Sequence, residues 1–374
     1  MLLAPLPPPP SEVFLPPLWQ RPAFDDILDC LKKLRIEPPI WSPRLSRADI
    51  LKEQQESAAN TAHHRREILS FLSFIIKSSL AWIEDDDRRE ELWEEASKRL
   101  SERCGRAAMG EIIRRWPFPD HHQQHGANSP FSLSIREPPI TGDALGLKTW
   151  GSSYVLAQLL RQFASTTTTP AGPLSHLFPA HQQQPPEVLE LGSGTGLLGL
   201  AAACIWKTTV VLTDLDMIMP NLRHNAELNR ATVEACGGRV DTAALTWGAE
   251  PEENDPRFAE GNQYKLILAA DAVYDDNHPV LLASATNAHL SLCPDARALA
   301  MIPMRDETTD RLLAIFKSEM LGQKSSGDGG PLFCVAESLV SGQDDWGAED
   351  DEESRHVGFW WGVFARREGE DSVK

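Results

Sequence analysis

From Glu187 onward, short runs of consecutive apolar residues alternate with longer stretches of helical periodicity. The runs Val188–Leu191, Val210–Thr213, Val240–Leu245, Leu266–Ala270 and Ala298–Pro303 read as strands. The segments between and after them, Leu197–Trp206, Met217–Asn229, Pro279–Leu292 and Asp306–Leu321, read as helices. Strands that are apolar on both faces and separated by helices predict a parallel sheet covered on both sides. The last two runs, Leu332–Val340 and Val357–Ala365, are joined by an acidic loop with no helical segment between them, which predicts an antiparallel hairpin at the sheet edge. The fold class that follows is α/β, a doubly wound seven-stranded sheet. In such sheets a ligand sits beyond the carboxyl ends of the strands, near the switch point.

Upstream the pattern is different. A helical period runs from Ser46 to Trp82, and its second half (Ile68, Leu69, Phe71, Leu72, Phe74, Ile75, Ile76) is apolar nearly all round, so it calls for cover. A second helix is expected over Asp86–Trp116, with Leu92, Ala96, Leu100 and Cys104 forming one buried stripe. Phe131–Ile140 alternates like a strand, and Tyr154–Phe163 reads as a helix. Proline clusters at Pro7–Pro10 and Pro38–Pro39 surround a short amphipathic piece, Phe24–Leu34. These shifts divide the chain into a Pro-rich, partly ordered segment over 1–45, a helical extension over 46–130 and the α/β domain over 131–374. Ser165–Pro186 is a low-complexity surface insert within that domain.

Composition narrows the functional classes. A 41% hydrophobic content supports a packed core, and 28 prolines point to long loops. A formal net charge of −18 argues against a nucleic-acid surface, which needs clustered Lys and Arg. It suits a basic protein surface or a sulfonium cofactor. The six cysteines are scattered without a C-x-x-C pair, as expected of free thiols in a reducing compartment. The first residues are too short and Pro-rich for a signal peptide. The longest apolar run, Ile68–Ile76, is far below a bilayer span, so a soluble, cytoplasmic protein without a membrane partner is expected. His121, His122 and His125 lie in a Gln-rich loop with no carboxylate or Cys partner, so they read as solvated imidazoles and no metal site is expected.

The chemistry centres on Val188–Gly199, where a strand turns through Gly192, Gly194 and Gly196 into an Ala-rich helix. Such a turn needs positive φ and offers backbone N–H groups to a ligand. Gly-rich packing alone is the competing explanation. Asp214 closes the second strand about 20 residues later, where an acid accepts hydrogen bonds from ribose hydroxyls; capping the next helix is its alternative role. The spacing is G-x-G-x-G, with Leu197 where a dinucleotide fingerprint would want a third glycine. S-adenosylmethionine has no pyrophosphate and suits that loop better. Trp247, after the third strand, could stack on adenine or belong to the core. Asp271 and Tyr274 end the fourth strand, where they would point over the reactive sulfonium carbon, unless they serve only as cap and packing.

Together these motifs resemble the seven-β-strand protein lysine methyltransferases (methyltransferase family 16), the group that modifies elongation factors and chaperones. Thr149-Trp150-Gly-Ser, Glu190-Leu-Gly-Ser-Gly-Thr-Gly196, Thr213-Asp214, Leu245-Thr-Trp247-Gly and Asp271-Ala-Val-Tyr274 match in order. The resemblance implies a Rossmann-like S-adenosylmethionine-dependent domain, with cofactor contacts from Trp150, Glu190, Gly192, Ser193, Gly194, Asp214, Trp247 and Ala270. It implies Asp271 and Tyr274 as the catalytic pair and a lysine of a translation factor as substrate, handled by a monomer. Arg103–Met109 and Thr141–Trp150 look similar to a fungal branch that includes the methyltransferase acting on elongation factor 2. Ala272-Val273 stand where methyltransferases of bases and glutamine amides carry Pro-Pro, which disfavours those substrates. Three other readings stay open: a nicotinamide oxidoreductase, a small-molecule or RNA methyltransferase on the same fold, and a non-catalytic cofactor-binding adaptor.

Overall fold

The computed structural model describes residues 14–35, 67–101, 111–119, 130–139, 145–179, 185–250, 253–322, 330–343 and 356–367. The chain forms two compact units, Met1–Ile112 and Ile113–Lys374.

The first unit contains helix α1 (Phe24–Lys33), helix α2 (67–77) and helix α3 (Asp86–Ser101). Acids open α1 (Asp25, Asp26) and lysines close it (Lys32, Lys33), as the helix dipole favours. Ile27, Leu31, Leu72, Ile75, Leu80 and Leu92 are fully buried together. The α3 stripe forms as expected at Leu92 and Ala96, whereas Cys104 lies outside the described residues. The predicted helix ending at Trp82 stops at residue 77, because Leu80 takes a left-handed φ of 46° and Trp82 Nε1 donates to Pro22 O at 3.0 Å. Its start at Ser46 lies outside the described residues. Phe74, on the face expected to need cover, is 59% exposed.

The predicted continuation of α3 to Trp116 is overturned. Ile112–Phe118 is strand β1, paired with β2 (Phe131–Glu137) in a two-stranded sheet. Burial alternates along it, and the inward positions include Arg114, Trp116 and Phe118. A buried arginine disguised the two-residue period. Arg114 is tolerated there because its Nε lies 3.3 Å from the carboxylate of buried Glu137.

The seven-stranded sheet runs in the order β5-β4-β3-β6-β7-β9-β8. Its strands are β3 (Val188–Leu191), β4 (Thr209–Asp214), β5 (Arg239–Ala244), β6 (Leu266–Ala270), β7 (Arg297–Met304), β8 (Leu332–Gln343) and β9 (His356–Arg366). The first five are parallel, and β9 and β8 join antiparallel as the edge hairpin. Helices α4 (Gly151–Phe163), α5 (Leu197–Trp206) and α6 (Met219–Cys236) pack side by side, while α7 (His278–His289) and α8 (Glu307–Gly322) form a separate pair. The chain order reverses between β3 and β6, which opens the crevice that the topology rule assigns to a ligand.

One connection in this unit is made by side chains alone. Asn221, Asn225 and Asn229 recur every fourth residue on α6, hence on one face. Asn229 Oδ1 accepts from Ser134 N at 2.8 Å, and its Nδ2 donates to Ser134 O at 2.8 Å. Asn225 makes the same exchange with Arg136, at 2.8 and 3.1 Å, and also donates to Thr195 O at 2.9 Å. Part-buried backbone groups of β2 thereby find partners on α6. The strand is thus fixed beside the glycine loop. Among the described residues no helix is long and apolar enough to cross a membrane.

Candidate active site

Beyond the carboxyl ends of β3, β4, β5 and β6 lies a cleft of about 220 Å³. Its floor is the glycine turn, with φ of +69° at Gly192, +55° at Gly194 and +87° at Gly196. A Cβ on Gly192 would stand 3.3 Å from the Trp247 ring and 3.5 Å from Ala272, so glycine is what lets the tryptophan reach the loop. The turn is tied to β4: Ser193 N donates to Thr213 O at 2.8 Å, and Thr213 N donates to Ser193 Oγ at 3.0 Å. A second tie comes from the segment before α4, where the Thr149 and Thr195 hydroxyls lie 2.8 Å apart and Thr149 N donates to Glu137 at 3.2 Å.

Asp214 sits at the end of β4. Its Oδ2 accepts the Gly194 N–H at 2.7 Å and its Oδ1 the Leu215 N–H at 2.8 Å. Burial pushes its carboxyl up from the ordinary range, and those two N–H groups oppose the shift. The consequence for ligand choice is direct. Gly194 spends its N–H inside the protein, so the turn does not hold that donor out toward a phosphate. What the cleft presents at this end is a carboxylate acceptor beside the Trp247 ring.

Of the residues singled out from sequence, Trp150, Gly192, Ser193, Gly194, Asp214, Trp247, Ala270, Asp271 and Tyr274 all line this one cleft. Glu190 does not. It turns inward beneath α5 and its Oε2 accepts the Gly199 N–H at 3.1 Å. Burial raises its carboxyl to about 8, against the pull of Ser193 and Gly199. The seat is tight, since a Cβ on Gly199 would come 2.5 Å from that carboxylate and 2.1 Å from Leu212.

Asp271 follows β6 with a left-handed φ of 56°, its N–H donating to Met301 O at 3.0 Å. Its side chain is engaged on both oxygens. Arg305, just past β7, donates Nη1 to Oδ1 at 2.9 Å and Nη2 to Oδ2 at 2.7 Å, and Ser152 Oγ donates to Oδ2 at 2.9 Å. Sequence reasoning did not single out Arg305. Its signal is a charged residue just past the carboxyl end of a sheet strand. Arg305 also lies 5.1 Å from the Trp150 ring centroid, and Lys148 Nζ lies 4.5 Å from it.

Tyr274 is half-exposed, its ring edge-on to His278 at 4.3 Å. Burial first, and then the carboxylates of Asp214, Asp275 and Asp271, push its phenol up from the ordinary value. His278 is a cleft residue not foreseen, and burial pushes its imidazole down from the ordinary value against the pull of Asp275. Among the described residues no metal-holding group of His, Cys, Asp or Glu occurs, and His121, His122 and His125 lie outside them.

Residues 128–316 match the family described as lysine methyltransferase. The chain is 32% identical over 269 residues to the protein-lysine N-methyltransferase EFM2 of Saccharomyces cerevisiae, covering 69% of this chain and 57% of that relative. It thus spans little more than half of the yeast relative's length. It is 26% identical over 310 residues to the protein-lysine N-methyltransferase rrg1 of Schizosaccharomyces pombe, covering 83% of this chain and 88% of that one. A shorter stretch of 106 residues is 41% identical to the yeast protein-lysine N-methyltransferase EFM6, covering 25% of this chain and 41% of that relative.

Proposed function

The chain belongs to the lysine methyltransferase family, and from that premise we propose that it is an S-adenosylmethionine-dependent protein-lysine N-methyltransferase. Its substrate in this reading is translation elongation factor 2 or another translation factor, methylated in the cytoplasm by a monomer. The observation that carries the proposal is the single cleft that gathers the glycine turn, Asp214, Trp247, Trp150, Asp271 and Tyr274. The name of the yeast relative EFM2 describes a protein-lysine N-methyltransferase, which supports the substrate class.

S-adenosylmethionine supplies, when bound, a methyl group made electrophilic by a sulfonium. Asp214 holds the ribose hydroxyls, Trp247 offers its ring to the adenine, and Trp150 with Gly192–Gly194 and Ala270 shapes the remaining walls. Asp271 accepts a hydrogen bond from the lysine amine, and the protonated Tyr274 borders the same side of the cleft. Alignment of this kind accounts for about 7–11 kcal/mol of a barrier in well-oriented reactions. No strong base is required, because a partly desolvated lysine gives its proton to water.

The test is to incubate the full chain with tritiated S-adenosylmethionine and a lysate of cells lacking it. A labelled protein band at the mass of elongation factor 2, carrying methyl-lysine, is the expected result. Label confined to RNA or to small molecules would overturn the proposal.

A further inference from the structure

Asp271 is the acid that faces the acceptor amine in the function proposed above, yet it is already paired. Both its oxygens accept from the Arg305 guanidinium, and one accepts the Ser152 hydroxyl as well. The pair is well shielded, with the side chains of Arg305 and Asp271 exposed to 24% and 4%. Arg305 is also pinned through its backbone, since its N–H donates to Thr309 Oγ1 at 2.9 Å in the cap of α8. The chain carries a net charge of −18, yet it sets two cations, Arg305 and Lys148, against the Trp150 ring in the cleft wall.

A bare carboxylate in such a place would bind lysine well, but as the ammonium. An opposite charge within reach raises the pKa of an amine, and an ammonium has no lone pair to give. A guanidinium does not titrate in proteins and fills a carboxylate fork bidentately. Resting on the lysine methyltransferase reading, we propose that Arg305 is a positioning residue that closes Asp271 into an ion pair, so that the carboxylate meets lysine as a hydrogen-bond acceptor for the neutral amine and not as the counter-ion of an ammonium. The order of events balances. The ammonium first loses a proton to water; the nitrogen lone pair then forms the N–C bond as the C–S bond breaks, its electrons going to sulfur. Further protons on the alkylated nitrogen pass to solvent.

Other charged and titratable groups face the same space: Asp214 from the end of β4, Tyr274 and His278 before and at the start of α7 with Asp275 beside them, and Lys148 before α4. All of them stay in place in the variants that follow, so the shift of the pH midpoint between variants reports the charge that faces the amine.

The experiment compares kcat against pH for wild type, Arg305→Gln, Arg305→Lys and Asp271→Asn, using acceptor protein purified as the band that wild type labels. In Arg305→Gln the midpoint of the pH profile is expected to rise by about one unit, leaving it ~10-fold slower near neutrality and closer to wild type toward the ordinary ammonium range. Arg305→Lys retains the charge and keeps a midpoint near that of wild type. Asp271→Asn removes the carboxylate charge while the guanidinium keeps its own, so its residual activity should show a midpoint shifted downward and a raised KM. Calorimetry with S-adenosylhomocysteine, which needs no turnover, should give unchanged affinity in Arg305→Gln. A rate lowered equally at every pH, or lost cofactor affinity, would mean that Arg305 only props the fold and would overturn the inference. Should Arg305→Gln fail to fold, an unshifted midpoint in Asp271→Asn overturns it equally. Absence of methylation by wild type would instead sink the parent reading.

Discussion

Three carboxylates at the strand ends have the same chemistry and different surroundings, and the surroundings assign their work. Asp214 keeps its oxygens at the cleft while accepting the Gly194 and Leu215 N–H groups. Asp214→Ala removes the carboxylate proposed to accept from the ribose and the partner of the Gly194 N–H. Because hydrogen bonds to charged groups contribute about 1.5–3 kcal/mol, affinity for S-adenosylmethionine should fall roughly 10- to 100-fold by calorimetry. An unchanged Kd would count against the ribose role. Asp271 is the paired acid; Asp271→Ala should abolish detectable methylation while cofactor still binds, and wild-type turnover would remove it from the mechanism. Glu190 is buried and turned away from the cleft. Its carboxyl is raised from the ordinary 4.5 to about 8, so the folded state prefers it protonated. The stability this confers is complete below the ordinary value and is lost as pH rises toward about 8. Glu190→Gln keeps the acceptor for Gly199 without the titration. Its Tm relative to wild type should therefore climb across that window, and a constant difference would contradict the assignment.

At the level of elements, the asparagine face of α6 does what a neighbouring strand would ordinarily do for β2. Asn225 contacts both the Arg136 backbone and Thr195 O in the glycine turn, so it joins three pieces of chain. Asn225→Ala would remove its bonds to Arg136 N and Thr195 O and leave Arg136 O with its bond from Asn221 Nδ2 at 3.2 Å, at about 1–3 kcal/mol for each bond lost. Urea unfolding should register a loss of at least ~2 kcal/mol. A loss near zero would show that β2 is held by its apolar face alone. The four-residue spacing Asn221, Asn225, Asn229 was present in the sequence, but nothing local says that a strand lies across it. β1 is hidden in the sequence for a related reason. Its two-residue burial period holds only when Arg114 counts as an inward residue, and that depends on Glu137 being opposite. By contrast Val188–Leu191 and Leu266–Ala270 stand where their apolar runs put them, since strands buried on both faces need no partner to be recognised.

For the molecule as a whole, the excess of acid bears on encounter more than on fold. With a net charge of −18, approach of a lysine-bearing basic surface is favoured at low salt and screened over about 8 Å at physiological ionic strength. KM for the protein substrate should rise with added salt, whereas cofactor affinity, set by contacts inside the cleft, should change little. Equal salt dependence of the two would argue against steering. The described residues place the sequence-derived site residues around one cleft in the second unit, apart from inward-turned Glu190.

Taken by itself, the sequence determined what local periodicity and short-range stereochemistry encode: the alternation of strands and helices, the glycine turn, the acid after β4, and the order of the motifs. Tertiary structure alone decided the partnerships across sequence distance. Ser152 reaches Asp271 across 119 positions, and Arg305 reaches it across 34. Such contacts follow from the strand order β3-β6-β7 and the seating of α4 beside it. A hydrogen bond between distant residues leaves no period in the chain, because its geometry exists only once the strands that carry the two ends lie side by side.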